Sequence, residues 1–206
     1  MCGIFGFVGG PPALEVLAQV ALGASTRGPH AFGFAWLNGG IHVFKEPGHL
    51  ADNLPLLSLM LRAPAGIGQA RLATSGEWWE NANNQPLSTE RAAIVHNGNV
   101  YNCRQIFEQR GWTPRTGSDS EGILCLADLS PNFYSLALEI VSHVDRRSPL
   151  AVMVLGTEHL LAVRRGHPLY AGEIGGVRYY CSRKVRPEME LLDDEREEVQ
   201  LWANAS

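Results

Sequence analysis

The second residue of the chain is a cysteine, in Met1-Cys2-Gly3-Ile4. Loss of the initiator methionine, which a small second residue favours, would leave one residue carrying both a thiol and a free α-amine. Such an amine has a reference pKa of about 7.7–8.0, close to working pH, so it can take the thiol proton and return one to a leaving group. Nucleophile and general base then share a residue. His96, in Val95-His96-Asn97-Gly98, offers the more common Cys–His pairing of thiol enzymes. With a base already on Cys2, His96 is read as structural. Taken alone, Asn97-Gly98 is an ordinary turn signal. Ser118 and Glu121 spell an S-x-x-E capping box, with Asp119 placed to suit the helix dipole. The seven histidines show no HExxH or other ligand spacing, so neither a metal nor a cofactor is expected.

These residues need elements to position them. Segments 3–9, 31–37, 41–45, 66–71 and 92–96 are short, apolar and bounded by Gly, Pro or Asn, the pattern of buried strands. Apolar residues at three- and four-residue spacing after Pro11-Pro12 predict a helix over 12–23, and a second is expected over 50–62. Further helical spacing covers 101–110, stopping at Gly111, then 119–128 and 133–144. Strand patterns return at 150–156, 160–164, 169–174, 177–182 and 198–202. Two strand blocks flanking a helical block can bury all these faces as an α+β fold of two sheets with helices outside. Seven acids between 188 and 198 stand against Arg196 alone. They read as a solvated turn before the last strand, with partner docking as the alternative.

With 45% hydrophobic and 18% charged residues over 206 positions, the chain can bury one substantial core, and residues 1–206 are read as one domain. A net charge of -4, without a Lys/Arg run, argues against a nucleic-acid partner. The apolar start has no preceding cation, the first being Arg27, so it is read as a strand and not a signal peptide. No stretch approaches the roughly 18 consecutive apolar residues of a membrane span. Cys103, Cys125 and Cys181 have no CxxC spacing and read as small buried residues, reduced, in a cytoplasmic protein.

Five segments together resemble the class II glutamine amidotransferases, an N-terminal-nucleophile hydrolase family. They are Met1-Cys2-Gly3-Ile4, Arg27-Gly28-Pro29, residues 68–76 (GQARLATSG), Val95-His96-Asn97-Gly98, and residues 116–121 (TGSDSE). Their order and spacing match across nearly the whole chain. The Arg71 and His96-Asn97-Gly98 segments are most similar to glucosamine-6-phosphate synthase glutaminase domains. Arg27-Gly28-Pro29, Gln85-Pro86-Leu87, residues 97–102 and residues 116–119 are similar to asparagine synthetases. The resemblance implies a four-layer αββα sandwich of the N-terminal-nucleophile hydrolase type, and glutamine as substrate.

On that resemblance each end of glutamine receives a partner. Arg71 would clamp the α-carboxylate, since a guanidinium presents parallel donors to two oxygens. Asp119 would take the α-ammonium, with Thr74 and Ser75 completing the substrate site. The Asn97 side chain and the Gly98 N–H would hold the oxyanion formed by attack of Cys2. Arg27 would lie beside the nucleophile and order the site. The chain departs from the family pattern at Leu72 (usually tryptophan), Ser75 (usually histidine) and His30 (usually an acid). Residues 72–80 correspond to a loop that in relatives closes over glutamine, and Trp78 or Trp79 either replaces the missing indole or packs in the core.

The pattern ends near the end of the chain and no G-x-x-x-x-G-K-[ST] phosphate loop follows. A glutaminase subunit delivering ammonia to a synthetase or ligase on another chain is therefore expected. The alternatives are a stand-alone hydrolase of another γ-glutamyl compound and a catalytically silent glutamine-binding regulatory subunit.

Overall fold

The computed structural model describes residues 1–195 and 197–201. β1 (Gly3–Val8), β2 (Ala31–Leu37), β3 (Ile41–Pro47), β4 (Ala65–Arg71), β9 (Tyr170–Ile174), β10 (Val177–Cys181) and β11 (Glu190–Leu191) form one sheet, ordered β11-β9-β10-β1-β4-β2-β3. β5 (Leu87–Ser88), β6 (Ala92–Gly98), β7 (Leu150–Gly156), β8 (His159–Arg165) and β12 (Glu197–Leu201) form the other, ordered β12-β8-β7-β6-β5. Strand pairing within both is antiparallel.

Alternation along each strand decides the layers. On β1, Phe5 and Phe7 join Leu17, Val20 and Met60 beneath α1 (Leu14–Ser25) and the 3-10 segment Leu50–Met60. Ile4 and Val8 point the other way, into a layer shared with Val95, Met153 and Leu155 of the second sheet. On β6, Ile94 faces outward and packs with Ile106 of α2 (Cys103–Arg110) and with Ile123, Leu136 and Ile140 of α3 (Glu121–Leu129) and α4 (Phe133–His143). The result is a four-layer αββα sandwich in which both faces of each sheet are covered. Each large side chain so buried contributes roughly 1.5–3 kcal/mol.

The structure corrects several expectations drawn from the sequence. The 50–62 helix is a 3-10 segment broken at Asn53, where φ is -122° and ψ 19°, because Pro55 lacks an N–H for a continuous α-helical ladder. The Ser118–Glu121 capping box does not form: α3 begins at Glu121 after Ser120, which makes no side-chain cap bond. The Glu121 carboxylate instead accepts from Trp112 Nε1, the Arg115 and Thr116 N–H groups and Thr116 Oγ1. The buried acid thereby takes four donors at once from the partly exposed 112–116 segment.

The acidic stretch is more than a solvated turn: Glu190–Leu191 adds an edge strand to β9. Asp194 meets Arg164 at 2.7 Å and accepts from Gly166 N at 3.0 Å. Arg196, and residue 202 of the expected 198–202 strand, lie outside the described residues. The short strands β5 and β11 carry too few residues for periodicity to reveal them. No helix among the described residues is long and apolar enough to cross a membrane.

Candidate active site

The site lies at the end of the sandwich where β1 begins and β4 and β6 finish. Gly3 pairs with Ala70, which puts Cys2 next to Arg71 at the tip of β4, while Gln69 Nε2 crosses to the other sheet and donates to the His96 carbonyl at 2.6 Å. A small, solvent-open cleft results. Cys2, Arg71, Thr74, Ser75, Gly98 and Asp119 all line it.

Cys2 Sγ stands 3.4 Å from both the carbonyl oxygen and the N–H of Leu72. Burial pushes its thiol pKa up; the Leu72 N–H, the chain's N-terminal charge and Arg71 pull the other way, and Asp119 pushes it further up. A thiol so placed needs a base to ionise, which is the part the α-amine of Cys2 can play. Arg27 lies alongside, its Nη2 3.4 Å from Met1 Sδ and its Nη1 donating to Ser182 O at 3.1 Å. Arg27 is not among the cavity-lining residues.

Arg71 is 4% exposed. Its Nη1 donates to Asn84 Oδ1 at 2.6 Å, and its Nη2 donates to the Ser75 carbonyl and, at 3.0 Å, to that of Gly76. These bonds draw on three of the guanidinium's five N–H donors. Asp119 accepts from Ser75 Oγ at 2.7 Å and from Val100 N, and Thr74 Oγ1 donates to Asn99 Oδ1 at 3.2 Å. Ser75, in place of the family histidine, therefore sits on the expected ammonium acceptor.

Gly98 has φ 144°, and a Cβ there would meet Pro149 O at 2.1 Å and His96 Nε2 at 2.8 Å. Only glycine can turn the chain at this corner. Asn97 is fully buried on the face of β6 that looks toward the first sheet, and neither atom of its side-chain amide has a hydrogen-bond partner. A buried amide left unpaired costs roughly 1–3 kcal/mol, a cost that a ligand oxygen would relieve. Asn97 itself does not line the cavity, whereas Gly98 does.

His96 also lines the cavity, with Nδ1 2.9 Å from Ser120 Oγ and Nε2 unpartnered. Burial lowers its pKa to about 4, so the ring is neutral near pH 7. The sequence reading missed the polar frame behind it: Gln85 Nε2 donates to Ser120 Oγ, and Gln85 Oε1 accepts from His96 N and Gln69 Nε2. Gln85-Pro86 stood in the sequence, but nothing in its spacing pointed to this network. His30, in place of the family acid, accepts from Ala73 N at 3.2 Å through Nδ1 and stacks on Trp78 at 5.8 Å. Trp78 and Trp79 are 36% and 59% exposed, so neither is a core residue. Among the described residues no cluster of His, Cys, Asp and Glu could hold a metal ion.

No protein-family model matches the chain. It is 32% identical over 203 residues to the glutamine–fructose-6-phosphate aminotransferase of Thermotoga maritima, an alignment covering 94% of this chain and 33% of that one. The chain spans about a third or less of the length of the curated relatives it matches. Among solved structures, the glutamine phosphoribosylpyrophosphate amidotransferase of B. subtilis superposes with a TM-score of 0.73 at 23% identity, over 97% of this chain and 49% of the other. A glutamine aminotransferase class-II domain protein from Silicibacter pomeroyi superposes with a TM-score of 0.64 at 15% identity, over 98% of this chain and 100% of the other.

Proposed function

This chain belongs to the class II glutamine amidotransferases, and from that premise we propose that it hydrolyses the side-chain amide of glutamine to glutamate and ammonia through a γ-glutamyl thioester on Cys2. The observation that carries the reading is the single cavity lined by Cys2, Arg71, Gly98 and Asp119. It sets a nucleophile, a cation, an anion and a backbone corner around one small space.

In this mechanism the α-amine of mature Cys2 accepts the thiol proton while Sγ forms a bond to the amide carbon. Arg71 holds the α-carboxylate and Asp119 the α-ammonium. The oxyanion is held by the Gly98 N–H and by the Asn97 side chain, whose unpaired amide supports that role. The C–N bond then breaks, the proton passes from the α-ammonium of Cys2 to the leaving nitrogen, and ammonia departs. Water attacks the thioester with the same amine as base, releasing glutamate and restoring the thiol. The ammonia passes to a synthetase or ligase on a separate chain.

The test is treatment with a glutamine-mimicking electrophile followed by mass spectrometry of the N-terminal peptide. The expected result is one adduct, on a peptide that starts at Cys2, and none in Cys2→Ala. Labelling of Cys103 instead, or full activity in protein that retains Met1, would refute the mechanism. Co-purification of a synthetase or ligase from the native source tests the separate acceptor, and repeated isolation of the chain alone with full glutaminase turnover argues for a stand-alone amidase.

A further inference from the structure

Arg71 does not stand alone against the substrate carboxylate. Its Nη1 is held by Asn84 Oδ1 at 2.6 Å, and the carbonyl of the same Asn84 accepts from Lys45 Nζ, also at 2.6 Å. The Asn84 amide nitrogen donates to the Trp78 carbonyl at 2.8 Å and to Asn81 Oδ1 at 3.2 Å. Asn84 is fully buried, and its bond to Arg71 is made out of water, where it counts most, while the other three are partly buried. Two cations thus meet on one neutral residue. Burial, and then the charge of Arg71, lower the Lys45 pKa to about 8, in keeping with two cations sharing a partly dry site.

We propose that Asn84 is a positioning residue for the substrate carboxylate: as a neutral bridge between Lys45 and Arg71 it fixes the guanidinium without cancelling its charge, and it ties Arg71 to the Trp78 segment of the loop. The neutrality is the important property. An aspartate would fit the same space and hold Arg71 at least as tightly, but its charge would satisfy the guanidinium before the substrate arrived. An amide oxygen orients the fork and leaves its positive charge for an incoming anion. The bond from Asn84 Nδ2 to the Trp78 carbonyl then couples occupation of Arg71 to the position of residues 76–80.

This inference rests on the glutaminase reading, and the isosteric change Asn84→Asp tests it. The expected result is a rise in KM for glutamine of about tenfold or more, with kcat within about twofold, because only binding at the carboxylate end is altered. In an Arg71→Ala background the same substitution adds nothing further, since the group it acts through is gone. Lys45→Met, which removes the outer cation and leaves Asn84 in place, gives a smaller rise in the same parameter. Should Asn84→Asp fail to fold, Asn84→Ala supplies the same comparison.

Equal effects of Asn84→Asp in the wild-type and Arg71→Ala backgrounds, or a fall in kcat with KM unchanged, overturn the proposal. Calorimetric titration of Cys2→Ala with glutamine separates the two readings. A protein that binds glutamine without turning it over defeats the glutaminase reading alone, and weaker binding in Cys2→Ala carrying Asn84→Asp still supports the bridge. Absence of glutamine binding in Cys2→Ala defeats both.

Discussion

Burial raises the Cys2 thiol pKa and lowers that of the His96 imidazole, so the two groups that a Cys–His pair would need are each held in the neutral form. An ion pair between them is disfavoured on both sides, which leaves the α-amine as the base on the proposed mechanism. His96→Ala should therefore retain far more glutaminase activity than Cys2→Ala, and equal, complete loss in both would return His96 to the chemistry. The same histidine predicts a pH effect on stability. Its folded pKa of about 4 lies below the ordinary value of 6.5, so between these limits the unfolded chain binds the extra proton. The stability it contributes is fully present above pH 6.5 and is lost as pH falls toward 4, by at most roughly 3 kcal/mol. Denaturant unfolding from pH 7 to 4 should show this slope in the wild type and a flatter one in His96→Ala.

At the scale of elements, the loop after β4 is held by contacts that binding of substrate must rearrange or extend. Its carbonyls occupy Arg71, its Ser75 hydroxyl occupies Asp119, and Trp78 lies over His30 with Trp79 edge-on at 5.6 Å. Glutamine brings a carboxylate to the first partner and an ammonium to the second, so the Ser75 hydroxyl must yield or share Asp119. Intrinsic tryptophan fluorescence should consequently change on adding a glutamine analogue, and Trp78→Phe should remove most of the change. An unaltered spectrum in protein shown by calorimetry to bind the analogue would count against a loop that moves. α3 illustrates the same scale differently. Glu121 could have served the helix start, but its carboxylate anchors residues 112–116 instead. Burial opposes its ionisation, and the hydrogen bonds from Trp112, Arg115 and Thr116 outweigh that, so its pKa falls below the usual carboxylate value.

For the molecule as a whole, the site depends on two sheets keeping a fixed separation, because Cys2 and Arg71 belong to one and Gly98 to the other. Met153 fills the layer between them, fully buried, with its Cε against Gly6. Met153→Ala should cost about 2–5 kcal/mol, measured by denaturant unfolding. If the relative placement of the sheets governs catalysis, turnover should fall under conditions where the variant is still fully folded. A stability loss with unchanged turnover would show that the Gln69 bridge and the strand ends suffice to hold the site.

The sequence alone determined the layer order and most strands, because these follow from residue type and local period: apolar alternation, and turns where Gly and Pro stand; the proposal of Cys2 as nucleophile likewise rests on residue type, a cysteine beside the initiator. The resemblance to class II glutamine amidotransferases also picked out Arg71, Gly98 and Asp119, which line one cavity with Cys2. Other features depend on residues far apart in the chain, and no periodicity reports such pairs. Lys45 and Asn84 are 39 positions apart, and Gln69 and His96, whose bond joins the two sheets, are 27 apart. Only tertiary packing decided that Asn84 would sit between two cations, that Ser75 would rest on Asp119, and that Glu121 would leave its helix cap for the partly buried indole N–H of Trp112. In each case a polar group withdrawn at least partly from water was satisfied by a partner that only tertiary contact brought within reach.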